Sequence, residues 1–458
     1  MVKKIQNREL IYSLLILLMG LILSFAVPTW ETPDEMSHLR MIGRSIGVED
    51  FADNIMDSIK LERERIEYHP EEKVNIKEQK QSMTEAPKYT RTEMLPKSIH
   101  LSVIKHLPAT IGILLGILLG IPAYWVLQLG EIFALLFYTG ICYTALKIIP
   151  MKKDMFAMIM LFPMAIQQAS SLNYDAVLLP MCFLFISYIF YLKYEKEEIG
   201  FREILTALII LGIVAYTKMP YVFLGILFLI LPLSKIKVDL KILVIDESVI
   251  KKIRIPMCIV GGGCVLGVAY IGRHNLYIQI VYGFVREWRR GLYLLQATGR
   301  TWTTHLMEST VGKLGWLDTP ISFKVVIVVF VMVAIVSCVK YSDSMYKLRV
   351  WDTVIVMGTF CVLCVFITIS LTNHTIMVTL FGSEFATGTY HIRQALYQIP
   401  YIGGLQGRYY LPFVPLVFFV LPEKLQMNKK VIAMGIGAFE ILLYGYVIYV
   451  LACRYWIG

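Results

Sequence analysis

The sequence predicts an all-α integral membrane protein, a bundle of about 11 spanning helices with loops and interfacial helices at one face. Three observations carry that prediction. Long apolar runs recur along the whole chain. Only 17% of its 458 residues are charged, against roughly 25% in soluble domains, and the mean hydropathy is +0.63. The Lys and Arg residues fall in alternate loops, as cytoplasmic loops require.

The first run, about 10–27, is long enough to cross a bilayer, which takes about 20 apolar residues. Pro28-Thr29-Trp30 lacks a small-residue cleavage pattern, so this run reads as a retained anchor. Further spans are expected at about 131–149, 154–170, 175–193, 203–217, 221–233, 254–272, 324–340, 350–371, 409–421 and 430–451. Lys218-Met219-Pro220 separates two of them. The apolar segment 107–126 is read as a helix in or near the outer interface, because two spans within 101–149 would send Lys147, Lys152 and Lys153 outward. Gly112, Gly116 and Gly120 would let that helix pack closely on a neighbour.

With Lys3, Lys4 and Arg8 in the cytoplasm, every other short basic loop also falls inside. The expectation is a multi-pass membrane protein with its N-terminus in the cytoplasm, one domain over 1–458 and outer loops at 28–106, 273–323 and 372–408. The net charge of +10 then reports cytoplasmic loops, and no nucleic-acid motif is visible. Seven of the eight cysteines lie in apolar runs, which argues against disulfides, and Cys361 and Cys364 read as packing residues.

The chemistry-bearing residues gather in the outer loops. Just past the first span stands Pro33-Asp34-Glu35-Met36-Ser37-His38. Thr32 suits an N-cap, Pro33 the first helical position and Glu35 a capping box. Capping leaves Asp34 and His38, four apart on one helix face, unexplained. The turn 167–175 holds Gln167, Gln168, Asn173, Tyr174 and Asp175 between apolar helices, more polar groups than one cap needs. Lys218 sits beside a Pro break on the expected outer side, where snorkelling is its simplest alternative role. Arg408, between Gly407 and Tyr409, has a side chain suited to bidentate phosphate contact. Arg286, Arg289 and Arg290, interleaved with Trp288 and Tyr293, read as an interfacial amphipathic helix. His374, Glu384, His391 and Arg393 are loosely spaced, and no metal-ligand motif appears. Carboxylates beside outward-facing cations fit group transfer from a lipid-phosphate donor.

These residues resemble a bacterial family of polytopic membrane proteins catalogued as a domain of unknown function. The match runs through Pro33–His38, Phe162–Asp175, Thr217–Tyr221, Leu314–Pro320 and Gln406–Pro412. That family in turn looks like a branch of the GT-C superfamily, whose members take sugars from polyprenyl-phosphate carriers. The resemblance implies a GT-C-like fold, with Asp34 as catalytic base, Glu35 and His38 beside it, and Arg408 and Lys218 on the donor phosphate. It places Gln167, Gln168, Asn173, Tyr174, Asp175, Trp316, Asp318, Gln406 and Tyr409 around the substrates. One departure stands in the second span, where an Arg is expected and Tyr138-Thr139-Gly140 occurs. A divalent cation, Mg or Mn, is compatible with Asp34, Glu35 and Asp175, though no spacing calls for one.

The expected activity is inverting glycosyl transfer from a polyprenyl-phosphate sugar to a cell-envelope glycan or lipid-linked acceptor. Two alternatives remain open at the sequence level. A flippase for lipid-linked oligosaccharides would line its spans with polar residues, and these spans are largely apolar. A non-enzymatic scaffold for surface-polymer assembly would use the charged stretch 49–97 as its partner surface.

Overall fold

The computed structural model describes residues 8–56, 89–239, 244, 245, 248, 275–340, 346–382 and 391–457. The expected span 254–272, residue Glu384 and most of the charged stretch 49–97 lie outside these residues. The described chain is a helical bundle. Its helices are α1 (Arg8–Ala26), α2 (Glu35–Ser45), α3 (Phe51–Met56), α4 (Arg91–Met94), α5 (Leu107–Leu119) and α6 (Ala123–Ile148). Then come α7 (Lys153–Met160), α8 (Pro163–Ala169), α9 (Asp175–Tyr194), α10 (Phe201–Thr217), α11 (Leu276–Arg286) and α12 (Trp288–Val311). The last are α13 (Phe323–Ser337), α14 (Val350–Ser370), α15 (Thr372–Phe381), α16 (Ile392–Gln398), α17 (Pro415–Phe419) and α18 (Lys429–Leu451). Among the described residues strands are confined to two-residue pairs, one of them an antiparallel hairpin joining Lys313–Leu314 to Thr319–Pro320.

Among the described residues, 6 helices are long and apolar enough to cross a membrane: Arg8–Ala26, Leu101–Leu119, Ala123–Ile148, Asp175–Tyr194, Val350–Phe381 and Val431–Trp456. Leu101–Leu119 covers most of the segment expected at the interface, and by length and apolarity it also qualifies as a span. Two expected spans are not single helices. The stretch 154–170 breaks into α7 and α8 at Pro163, which takes the first helical position where its missing N–H costs nothing. The stretch 409–421 forms short 3-10 turns followed by α17, with Pro412 and Pro415 removing the donors a longer helix needs. Lys218 and Pro220 end α10, and Met219–Ile230 continues as a 3-10 helix.

The hub is α9, with 83% of its apolar window buried. Around it, α5 lies tightly on α6. A Cβ on Gly112 would overlap the Leu129 carbonyl, and one on Gly116 would meet Val126 Cα at 2.9 Å. The small-residue stripe therefore does close packing, while Gly120 ends α5 in a left-handed conformation. Along α1, Leu10, Ile11, Leu14 and Leu18 are exposed, as side chains facing lipid are.

The bundle has two polar ends. At the C-terminal end of α9, Lys193 bonds Asp352 at 2.8 Å and the Ile230 carbonyl at 2.8 Å. Near it in topology, Arg8 pairs with Asp154 at 2.9 Å, and Lys152 donates to Ser337 at 2.9 Å and to the Phe418 carbonyl at 3.0 Å. The other end of α9 lies about 30 Å away at the helical rise of 1.5 Å per residue. There Asp175 faces Arg408.

Candidate active site

The centre is the guanidinium of Arg408, 2% exposed and held by three parts of the chain. Its Nη2 bonds Asp34 Oδ2 at 2.5 Å. Its Nη1 donates to Gln168 Oε1 at 3.0 Å. Its Nε lies 4.0 Å from Asp175 Oδ2 and has no hydrogen-bond partner among the described residues. Asp175 is nearly buried, whereas Asp34 is 50% exposed. The ion pair therefore sits at an opening, with the carboxylate of Asp34 on the accessible side.

The turn 170–174 builds the acidic wall. Asn173 Nδ2 donates to Gln168 Oε1 at 3.1 Å, and Asn173 Oδ1 accepts from the Asp175 amide at 3.1 Å. Asn173 thus orients both the amide that holds Arg408 and the carboxylate that faces it. Gln167 is buried and spends its side chain on the backbone of Gly315, donating to its carbonyl at 3.2 Å and accepting from its N–H at 3.1 Å.

Arg408 is aimed by its neighbours. The Gly407 amide donates to Ser309 Oγ at 2.7 Å. A Cβ on Gly407 would overlap the Thr310 amide and the Leu306 carbonyl. Only glycine lets this backbone lie against the end of α12. Gly407→Ala is therefore expected to lower stability by about 2 kcal/mol or more and to displace Arg408. Thermal unfolding of the purified protein checks this; an unchanged midpoint would show that α12 yields freely.

The segment before α2 differs from the capping expectation. Asp34, not Thr32, precedes the helix, at φ 67, and makes no side-chain cap. Trp30 also has a left-handed φ of 72. Such strain persists where surrounding contacts over-determine it, and it clusters at functional sites. Here the Trp316 indole donates to the Trp30 carbonyl at 2.6 Å. Glu35 does not close a capping box. Its carboxylate accepts from the Trp30 amide at 3.1 Å and the Leu172 amide at 3.3 Å. Glu35 therefore ties the first loop to the 170–174 turn.

Burial, and secondarily the neighbouring Glu31 carboxylate, push the Glu35 pKa up to about 7 against those two backbone donors. A raised carboxyl pKa leaves stability intact below the ordinary value of 4.5 and removes it as pH rises towards about 7. Glu35→Gln should thus gain on the parent by about 2.5 kcal/mol between pH 5 and pH 8. The lost acceptor adds only a pH-independent offset. Parallel unfolding-versus-pH curves for the two proteins would refute it.

His38 lies on the next turn of α2. Its Nδ1 is 2.9 Å from His106 Nε2, and the Tyr174 ring meets it edge-on at 4.8 Å. Burial foremost, then His106, Arg408 and Lys218, hold its pKa well below the usual imidazole value. A neutral buried imidazole suits positioning of α2 better than proton carriage. Lys218 lies with its ammonium 3.7 Å from the centre of the Tyr409 ring and 5.9 Å from that of Tyr174. Burial pushes its pKa down to about 8, opposed by Asp175 and Asp34. Tyr409 is fixed through its carbonyl, which accepts from Tyr221 at 2.7 Å.

A family model described as "Predicted membrane protein (DUF2142)" matches residues 17–417. The chain belongs to this DUF2142 family. No curated protein and no solved structure matches it. The matched residues of this DUF2142 protein include Asp34, Asp175, Lys218 and Arg408, and leave out all of α18.

Several residues expected around the substrates do structural work here. Trp316 pins the Trp30 backbone, and Asp318 pairs with Arg454 at 2.5 Å. Gln406 Oε1 is buried with no hydrogen-bond partner among the described residues. Among the described residues no three His, Cys, Asp or Glu side chains converge as metal ligands. Three groups at the site escaped the sequence. His106 stood at the edge of a loop and gave no motif. Glu131 is buried in α6, bonded by Ser24 at 2.9 Å and Gln128 at 3.0 Å. Glu31 accepts from the Tyr455 hydroxyl at 3.3 Å. The lone carboxylate of Glu131 in an apolar run was the one usable signal.

Proposed function

We propose that this DUF2142 member is a membrane glycosyltransferase of GT-C type, acting at the outer face of a bacterial plasma membrane. Its donor is a polyprenyl-phosphate sugar and its acceptor a hydroxyl of a cell-envelope glycan or lipid-linked oligosaccharide. The observation that carries the reading is the pairing of half-exposed Asp34 with buried Arg408, whose Nε has no hydrogen-bond partner among the described residues. Such a guanidinium can take a phosphate, and such a carboxylate can take a proton. The alternating Lys and Arg loops support an outward site. The fold beyond six candidate spans, with about 11 in all, belongs to the same proposal.

In the proposed reaction the donor phosphate takes over Arg408 from Asp34, with the Lys218 ammonium adding positive charge. The acceptor oxygen then attacks the anomeric carbon from the face opposite the phosphate. The bond from that carbon to the phosphate oxygen breaks, and polyprenyl phosphate leaves with the electron pair. Asp34 takes the acceptor proton. Asn173 and Gln168 hold the guanidinium in register, and Glu35 and His38 hold the strained turn that presents Asp34. Inversion follows from the single displacement.

Mass spectrometry of lipid-linked sugars and envelope polymers, in cells with and without the gene, tests the reading. Accumulated polyprenyl-phosphate sugar together with one missing branch sugar is the expected result. Unchanged pools of both would overturn it.

A further inference from the structure

A cavity of about 390 Å³ opens between α12, α15 and the segment that leads to Arg408. That volume lies in the range of small-molecule sites, roughly 300–1,000 Å³. Trp302 of α12, His374 and Thr379 of α15, and Tyr401 and Gly404 line it. The Trp302 and Tyr401 rings meet edge-to-face at 6.3 Å. The floor is built firmly. Thr375 Oγ1 accepts from the Gly403 amide at 2.8 Å, and Thr298 Oγ1 accepts from the Ile402 amide at 2.8 Å. Gly404 has φ +73, and a Cβ there would meet His374 Nδ1 at 3.0 Å.

The cavity is near the proposed catalytic pair. Gly404 precedes Arg408 by four residues, a reach of at most about 14 Å. Trp302 precedes Ser309, the residue bonded to Gly407, by seven residues of α12, about 10 Å along the helix. Three buried polar atoms in this stretch lack hydrogen-bond partners among the described residues: Trp302 Nε1, Gln406 Oε1 and Arg408 Nε. Native proteins rarely leave such groups unpaired, so each calls for an explanation.

The mix of orphans selects the ligand. With Arg408 Nε left to the donor phosphate, Trp302 Nε1 and Gln406 Oε1 remain, and a phosphate or carboxylate, being acceptor-only, would satisfy Trp302 but repel the Gln406 carbonyl oxygen. A sugar hydroxyl both donates and accepts, so a chain of hydroxyls can serve both. Aromatic rings at the mouth suit the apolar faces of pyranose rings and present little rotamer entropy to lose. We infer that the cavity lined by Trp302, His374 and Tyr401 is a subsite for the glycan acceptor, a neutral oligosaccharide whose terminal hydroxyl reaches Asp34 along Gln406. The inference deepens the transferase reading and rests on it for the direction in which the glycan runs.

The test uses the purified full-length protein in detergent, with a panel of neutral tetrasaccharides built from glucose, galactose, mannose and rhamnose. Binding is read by saturation-transfer NMR and calorimetry. At least one member is expected to bind. Trp302→Phe keeps the ring and removes the indole N–H, and Tyr401→Ala removes an exposed ring. Each should weaken binding roughly tenfold without shifting the unfolding midpoint. Inorganic phosphate should not displace the sugar. Absence of binding across the panel, displacement by phosphate, or affinity unchanged in both variants would each overturn the subsite. The transferase reading fails separately. Binding that depends on Trp302 and Tyr401, without sugar transfer in membranes, keeps the subsite and removes the reaction. Transfer whose acceptor KM ignores both variants does the reverse.

Discussion

Replacing Arg408 with Lys is expected to cost both stability and activity. The guanidinium reaches Asp34, Gln168 and the neighbourhood of Asp175 at once because its nitrogens form a planar fork. A lysine ammonium is one point charge on a thinner stem and cannot span all three. Asp175 then remains nearly buried with Lys218 as its nearby cation and the guanidinium gone, and breaking such a buried pair costs up to about 3–5 kcal/mol. Gln168 loses one of the two donors on its carbonyl oxygen. Transfer should fall by about 10²–10³, the range for removing one preorganised donor from a developing charge. Thermal unfolding and a membrane transfer assay read the two effects independently. Transfer within tenfold of the parent would remove Arg408 from the donor phosphate.

Asp34→Asn is expected to abolish transfer while leaving the fold nearly untouched. The backbone at this position has φ 67, a conformation that Asn tolerates better than most residues. The half-exposed side chain makes no cap, so little stability rests on it. A partly solvated ion pair is worth about 1 kcal/mol or less. The amide cannot take a proton, and loss of a general base costs about 10²–10⁴ in rate. Donor affinity should hold or rise, because Arg408 no longer has to release a carboxylate. A normal rate in Asp34→Asn would end the assignment of the base. Movement of lipid-linked sugar across liposomes without any transfer would instead favour a carrier.

The sequence made most of the helical architecture legible because hydropathy is a local property. A window of about 20 residues is enough to identify α1, α6, α9, α14 and α18. It was less informative where prolines intervene. Pro163 divides a run that looked continuous, and Pro412 and Pro415 turn another into short pieces. Local reading also misassigned Glu35. A capping box is the nearest partner available in sequence, but the folded chain offers the Leu172 amide, 137 residues away. His106 and Glu131 were illegible for the same reason, since each acquires its meaning only from a distant neighbour.

Taken by itself, the sequence determined that this is a membrane protein of apolar helices, and that Asp34, Asp175, Lys218 and Arg408 are polar groups beside apolar runs. Those are properties of composition and spacing. The tertiary structure alone decided that Arg408 meets Asp34 across 374 residues, with Gln168 and Asn173 behind it. It decided too that Trp316 and Glu35 hold the strained turn while Asp318 pairs elsewhere. Contacts at that separation depend on how the helices pack, and packing follows from shape complementarity that no window of sequence contains.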